Sequence, residues 1–423
     1  MKNLLIISNN VLSETNNNGK TILSFIDGLK DVSASQLYMS GEQPRVQGYN
    51  YFRITDKDII RGLLRPDQRG GTVECLALGN AEQVADDFSI RRAVGRNQYT
   101  LMARDLLWHK KWKSSGLQKW LDQVCPDAVF FVAGDTLFSY EIASFVQKRY
   151  ASRLTVYVTD DYIMPRQRER LIDHFRRKQI RRAMKSILSQ ASCFYTVCEP
   201  MQQAYRKELG IDSEVAVNMA ADLKSDANAK AETETVLTYA GSFYYGREDV
   251  LKKLARSVAR YNEQHPEHRA RLMLYSNEEP VPELKRELCL EGASEYGGTL
   301  NQKQLKERLN TSDILVFAES FDPEQEEKVR YSLSTKVPEY MSTGKAILAV
   351  GPESIGSISY LKDVSACVCK ADKMEEILFR LLDDPEERRK LGSDSRGKFL
   401  KNHNKMILQQ QFAQHIFESG VNR

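Results

Sequence analysis

No apolar run in this 423-residue chain is longer than a strand. The longest, ILVFA and AILAV among them, fall far short of the ~18–20 residues that a membrane-crossing helix requires. Cysteine is scattered and odd in number: Cys75, Cys125, Cys193, Cys198, Cys289, Cys367 and Cys369 include no C-x-x-C pair. The spacing therefore indicates neither a zinc ribbon nor a disulfide framework. The six histidines show no metal-ligand spacing either, and no metal is expected. The N-terminus passes from a single lysine straight into an apolar stretch, unlike a signal peptide, so the cytosol is the expected compartment. A complete P-loop is also missing. Gly19-Lys20-Thr21 would close such a motif, but the second glycine it needs five positions earlier is Glu14, a carboxylate that repels phosphate.

What is present is an ordinary globular composition, 41% hydrophobic, spread over more residues than one domain usually holds. The net charge of +4 is uneven: residues 1–220 carry +7 and the remainder −3. Strand-like and helix-like stretches alternate almost throughout, the pattern of parallel sheets covered by helices on both faces. The expected organisation is a Rossmann-like domain at 1–219, with a polar excursion at 66–95 that lacks a core pattern. A linker at 220–235, rich in Ala, Lys, Asp and Glu, leads to a second Rossmann-like domain at 236–402. A last helix within 403–423 is expected to dock back on the first domain. The fold class is thus α/β, two doubly wound domains facing a central cleft.

The most informative segment is YSLSTKVPEYMSTGKAILAVGP, residues 331–352. A Ser/Thr-rich turn precedes a short helix beginning near Thr335, whose N-terminal N–H groups and dipole favour a diphosphate. Lys336 adds a full positive charge in the first turn. Glu339 stands one turn further on, where a carboxylate can accept hydrogen bonds from two vicinal hydroxyls. Gly344 ends the helix, and AILAV is the next buried strand. A diphosphate grip with a carboxylate one turn away fits a nucleotide sugar.

This segment resembles the donor-binding motif of the retaining glycosyltransferases of family four, which have the GT-B fold. It is most similar to the bacterial polysaccharide-assembly branch with Ser-x-Ser-Thr-Lys-x-x-Glu-Tyr followed by Gly-Lys-x-Ile-Leu. The resemblance implies ribose binding by Glu339 and diphosphate binding around Ser334, Thr335 and Lys336. Family members commonly carry a second glutamate seven positions earlier, which here is Ser332; Glu319 in FAESFD is the candidate substitute. LTYAGSFYYGRED resembles the first strand and loop of the donor domain, which implies that Gly241, Ser242 and Arg247 meet the diphosphate. NNNGKT resembles the glycine loop after the first strand, which puts Gly19 near phosphate. VTDDY falls where relatives carry acceptor-side residues, giving Asp161 a catalytic role beside Arg247 and Lys336. The implied reaction is hexosyl transfer with retention from a nucleotide-diphosphate sugar, UDP-linked for preference, without cofactor or metal. The implied acceptor is a glycan, lipid-linked, of capsule, exopolysaccharide or lipopolysaccharide type. Ser332 also leaves room for a catalytically silent GT-B subunit, and a nucleotide-sugar epimerase has the same two-lobed shape.

One more feature is the basic run at 166–186, with nine Lys/Arg against two acids. At helical spacing Ile172, Phe175, Ile180, Ala183, Met184 and Ile187 form an apolar stripe. Two readings stand side by side: a solvated face, or peripheral contact with the anionic inner face of a membrane. Nucleic acid is not expected as a partner. Trp108, Trp112 and Trp120 are either core residues or interfacial anchors, and Asp160 and Asp161 either cap a helix or face the acceptor.

Overall fold

Strands covered by helices on both faces need apolar side chains in both directions, so unalternated runs such as those at 4–7, 128–133 and 346–350 belong at sheet centres. A computed structural model of the chain describes residues 1–14, 17–65, 67, 69–76, 98–224 and 234–418. The chain divides into two units, Met1–Ala216 with Lys405–Arg423, and Val217–Asn404.

The first unit runs β1 (Lys2–Ser8), α1 (Asn17–Ile26), β2 (Val32–Tyr38), β3 (Asn50–Arg53), α2 (Asp56–Arg61), β4 (Gly71–Val73), α3 (Gln98–Trp108), α4 (Ser115–Val124), β5 (Ala128–Ala133), α5 (Leu137–Tyr150), β6 (Arg153–Val158), α6 (Leu171–Leu188), β7 (Cys193–Thr196), α7 (Glu199–Leu209) and β8 (Glu214–Val215). Its sheet has the order β4-β3-β2-β1-β5-β6-β7-β8. Every neighbouring pair is parallel except β3–β4. Leu4 to Ile7 on β1 and Val129 to Phe131 on β5 are wholly buried at its centre. β3 and β4 were not legible in the sequence. The described part of the polar excursion, β4, is an edge strand; residues 66, 68 and 77–95 lie outside the described residues.

The second unit runs β9 (Glu234–Ala240), α8 (Arg247–Gln264), β10 (Arg269–Tyr275), α9 (Pro282–Leu288), β11 (Ser294–Gly298), α10 (Gln302–Thr311), β12 (Ile314–Ala318), α11 (Pro323–Val329), α12 (Lys336–Thr343), β13 (Ala346–Val350), α13 (Gly356–Leu361), β14 (Ala366–Val368), α14 (Met374–Asp383) and α15 (Pro385–Asn402). Its strands, in the order β11-β10-β9-β12-β13-β14, are all parallel. Connections step outward from β9 on one side and from β12 on the other, so the order reverses between those two strands. The chain then returns to the first unit as α16 (Lys405–Phe417). There Phe412 meets the rings of Phe25 and Phe130, each at 4.8 Å, and Gln409 Nε2 donates to the Ser24 carbonyl at 2.8 Å.

The three tryptophans are core residues of the first unit and not interfacial anchors. Trp108 stacks on Phe138 at 4.0 Å and donates from Nε1 to Asp56 Oδ1 at 2.6 Å, and Trp112 Nε1 donates to Glu141 Oε2 at 3.2 Å. The basic run also departs from expectation. On α6, Ile180, Met184 and Ile187 are buried as the stripe requires, but Phe175 faces outward and Arg176 turns inward. The surface beneath that turn is polar: Arg176 Nη1 donates to Asp105 Oδ2 at 2.5 Å and Nη2 to the Asp135 carbonyl. The pair is 3% and 8% exposed, and a phenyl ring there would remove both of these bonds. Arg177 pairs with Glu169 at 2.9 Å, Arg181 with Glu208 at 2.5 Å, and Arg170 with Asp173 at 2.9 Å. Among the described residues no helix is long and apolar enough to cross a membrane.

A buried histidine closes the second unit. His403 Nδ1 lies 2.7 Å from the Asn218 carbonyl and Nε2 2.9 Å from the Tyr360 hydroxyl, so the neutral ring donates from Nδ1 and accepts at Nε2. Asn218 also donates to the Leu333 carbonyl at 2.7 Å, which ties residues upstream of the expected linker into this unit. Residues 225–233 of that linker lie outside the described residues. Burial lowers the His403 pKa from 6.5 to about 4. Folding therefore favours the neutral ring, and the second unit's stability is present above about pH 6.5 and falls as the pH drops toward 4. The loss approaches ~3 kcal/mol at the acid end. Denaturant unfolding of this unit followed from about pH 7 to pH 4 should show it, and His403→Asn should flatten that dependence by a comparable amount.

Candidate functional site

In an open parallel sheet, ligands bind outside the carboxyl ends of the strands where the strand order reverses. In the second unit that point lies between β9 and β12. β9 is followed by the loop from Gly241 to Gly246, which opens α8 at Arg247; β12 is followed directly by Glu319. The two strand ends are joined across the switch point by a bidentate ion pair. Arg247 Nε donates to Glu319 Oε2 at 2.9 Å and Nη2 to Oε1 at 3.0 Å. The side chains are 18% and 7% exposed, well beyond what a surface pair would be.

Lys336, at the start of α12, is the third member. Its Nζ lies 5.7 Å from the centroid of the Tyr239 ring, a cation–π contact that holds the ammonium against the end of β9. Burial lowers its pKa to about 8, helped by the charge of Arg247 and opposed by Glu319 and Glu339. Burial likewise raises the Glu319 carboxyl, against the pull of Arg247 and Lys336. Two partly buried cations thus stand beside the buried Glu319 carboxylate, with Glu339 a turn away, a set of charged groups gathered at the point where a parallel sheet binds ligands.

The sequence-derived residues divide around this cluster. Arg247 and Lys336 are in it, and Glu319 stands in it as well. Gly241 borders it through clearance and not through its amide. Its N–H donates to the Tyr275 carbonyl at 2.9 Å, while a Cβ here would collide with Lys336 Nζ and come within 2.9 Å of the Tyr239 hydroxyl. Ser242 shapes the loop: its carbonyl accepts from the Tyr239 hydroxyl at 2.5 Å and its Oγ from the Tyr244 amide at 3.2 Å. Glu339 is half-buried in the first turn of α12, where its charge reaches Lys336. Thr335 is the N-cap and makes no capping bond with its side chain. The first N–H groups of this helix already have partners in Ser334. Its carbonyl accepts from the Val337 amide at 3.1 Å, and its Oγ stands 3.4 Å from the Lys336 amide. The Ser334 amide itself donates to Ser357 Oγ at 2.9 Å, fastening the turn to the start of α13.

Gly19 and Asp161, the remaining sequence-derived residues, lie in the first unit. Gly19 is not in a loop: α1 begins at Asn17, and Gly19 sits in its first turn, where a Cβ would collide with the Val11 carbonyl. Close packing accounts for that glycine. Asp161 holds a turn: Oδ1 accepts from the Ile163 amide at 3.1 Å, the Met164 amide at 3.0 Å and the Tyr205 hydroxyl at 3.2 Å. No helix begins until Leu171, so these bonds hold a turn and not a helix start. Sequence reasoning missed Tyr239, Tyr340 and Ser357. Tyr340, buried on α12, places its hydroxyl 3.3 Å from the Ala240 amide. Only the aromatic character of these tyrosines beside the motif hinted at them.

These two parallel-sheet domains give the chain the α/β fold of the GT-B glycosyltransferases. The trehalose 6-phosphate synthase of Burkholderia multivorans matches with a TM-score of 0.63 at 12% identity over 98% of both chains. The sucrose-phosphate synthase of Thermosynechococcus elongatus matches at 0.62 and 12%, again over 98% of each. Anabaena HepE, solved with UDP and glucose, matches at 0.60 and 12% over 97% of this chain and 98% of its own. No family model matches the chain, and no curated protein matches it in sequence. Likeness at such low identity establishes the fold.

Gly241→Ala tests the cluster directly. Its methyl must push the end of Lys336 away and also crowd the buried Tyr239 ring, so circular dichroism should keep the parent's shape while the melting temperature falls. Affinity for a nucleoside diphosphate such as UDP should fall at least about tenfold, the worth of one displaced charged contact.

Proposed function

We propose that this chain is a glycosyltransferase that moves a hexosyl group from a nucleotide-diphosphate sugar to a glycan acceptor, with retention at the anomeric carbon. The observation that carries the reading is the buried Arg247–Glu319–Lys336 cluster at the switch point of the second unit, one turn from Glu339. In this reading Arg247 and Lys336 face the diphosphate and stabilise it as negative charge builds during departure. Glu339 accepts hydrogen bonds from the ribose hydroxyls. Glu319 supplies a carboxylate that Ser332 does not, and holds the Arg247 guanidinium in plane. UDP-glucose is the first donor to try, because HepE has been solved with UDP-glucose and an Escherichia coli trehalose-6-phosphate protein with UDP-2-fluoro glucose.

The motif at 331–352 favours membership of family four and a lipid-linked acceptor in capsule, exopolysaccharide or lipopolysaccharide assembly. The names of two structural neighbours favour a second acceptor class, a sugar phosphate. Peripheral contact with an anionic leaflet would rest on the exposed Arg168, Lys178, Arg182 and Lys185, at about 1 kcal/mol each.

The purified chain with radiolabelled UDP-glucose and, in separate arms, a lipid-linked glycan or glucose 6-phosphate should yield a glycosylated product in one arm. Arg247→Ala and Glu339→Ala should each lower turnover by about 10²–10³, Glu339→Ala with unchanged melting and Arg247→Ala with a lower melting temperature, because it strands the buried Glu319 carboxylate. Normal turnover by both would end the proposal. No turnover with UDP still bound would favour a silent subunit, and an altered sugar without acceptor an epimerase.

The charge on Lys336 sets a pH dependence. With a pKa of about 8 in the free protein, the ammonium is present below that pH and lost above it. UDP affinity should therefore weaken by up to about tenfold per unit above pH 8. In Arg247→Ala, which removes a repelling cation, the onset should move to higher pH.

A further inference from the structure

A second convergence of reactive groups lies in the first unit, at the β7–β8 edge of its sheet. Cys193 and Tyr195 are two apart on β7 and so project to one face. Tyr195 is the register partner of Glu214 on β8, which brings that carboxylate alongside. α16 packs over this face, with Phe412 6.2 Å from the Tyr195 ring, and its last turn brings in His415. The imidazole stacks on Tyr195 at 6.1 Å, with Nδ1 2.5 Å from the Tyr195 hydroxyl and 3.0 Å from Glu214 Oε2. Ligand atoms of Cys193, Glu214 and His415 all lie within 4.8 Å of one another.

Thiolate, imidazole and carboxylate together suit zinc better than calcium or magnesium, which take oxygen ligands. We propose that Cys193, Glu214 and His415 form a binding site for a zinc-class divalent cation that fastens α16 to the edge of the first unit's sheet. Three protein ligands leave a fourth position for water. The Tyr195 hydroxyl is bonded to Nδ1, so it serves as an outer partner where Nε2 takes the metal.

The charges balance. Without metal a thiol is mostly protonated at neutral pH, since its ordinary pKa is about 8.5. Binding releases that proton to solvent, and the resulting thiolate and the Glu214 carboxylate together neutralise a dication. One cation also faces the site. Arg153 donates from Nε to the Ile416 carbonyl at 3.1 Å, and its charge reaches Cys193. It opposes the ion, but two ligand anions outweigh it.

The site is invisible as a motif because its ligands are far apart in the chain and meet only through the β7–β8 pairing and the return of α16. It is independent of the donor-site reading, since every ligand lies in the other unit.

The test uses the full chain, stripped with a chelator and titrated with Zn²⁺ alone by calorimetry in two buffers of different ionisation enthalpy. One saturable site of micromolar or tighter affinity is expected, with about one proton released and a raised melting temperature. Cys193→Ser, which changes a single atom, should weaken binding at least about tenfold and abolish the proton release. Cys289→Ser should leave both unchanged. No saturable binding would overturn the site, as would binding that Cys193→Ser leaves intact; the cluster would then be a hydrogen-bonded lock between α16 and the sheet.

Discussion

The Arg247–Glu319 pair is the constraint on which the second unit's site depends. A guanidinium drawn this far out of water is costly alone, and Glu319 offsets that cost with two near-parallel hydrogen bonds between the ends of β9 and β12. Glu319 directly follows β12 and Arg247 opens the helix after the β9 loop, so the pair ties that loop's far end to the end of β12 beside the switch point. Lys336 then enters beside them, and burial, with the Arg247 charge adding to it, is why its ammonium is so easily neutralised. Formal charges nearly cancel once Glu339 is counted. A diphosphate would therefore find its partners through geometry more than through long-range attraction, competing with Glu319 for the guanidinium.

Backbone packing protects that geometry. The loop after β9 must pass beneath the Lys336 ammonium, and only a residue without a Cβ clears it at 241. The loop is held from its other side by the Tyr239 hydroxyl on the Ser242 carbonyl and by the Tyr340 hydroxyl at Ala240. Ser357 fastens the 332–334 turn from α13. Three hydroxyl side chains thus position a site whose charged members attract more notice in the sequence.

What the sequence disclosed follows from how each feature is encoded. Buried parallel strands are local runs, so β1, β5, β12 and β13 were plain, whereas β3, β4 and β11 are short, polar and on or near edges. The helix start at Lys336, the ending glycine and the arginine opening α8 were readable because each depends on a few adjacent residues. Glu319 could be named only as a candidate, since its pairing with Arg247 spans β9 to β12. Gly19 and Asp161 show what local sequence leaves open: glycine and aspartate serve loops, caps and close packing as readily as ligands, and adjacent residues do not separate these uses.

The basic half of the chain shows how far a charge count can stray from a field. Residues 1–220 carry a surplus of seven positive charges, and the run at 166–186 supplies much of it. Yet Arg170, Arg176, Arg177 and Arg181 each face a carboxylate, and Arg176 is as buried as a core leucine. Arginine suits such positions because its planar fork satisfies Asp105 and the Asp135 carbonyl at once, as no lysine would. Four of the nine cations in the run are thus committed to holding α6 and its flanks to carboxylates of the same unit, before any external partner is considered. An amphipathic helix assigned from spacing alone treats every charged residue as a solvent group. Here the side that looked most suited to an anionic surface is partly the means by which the first unit packs its own helices.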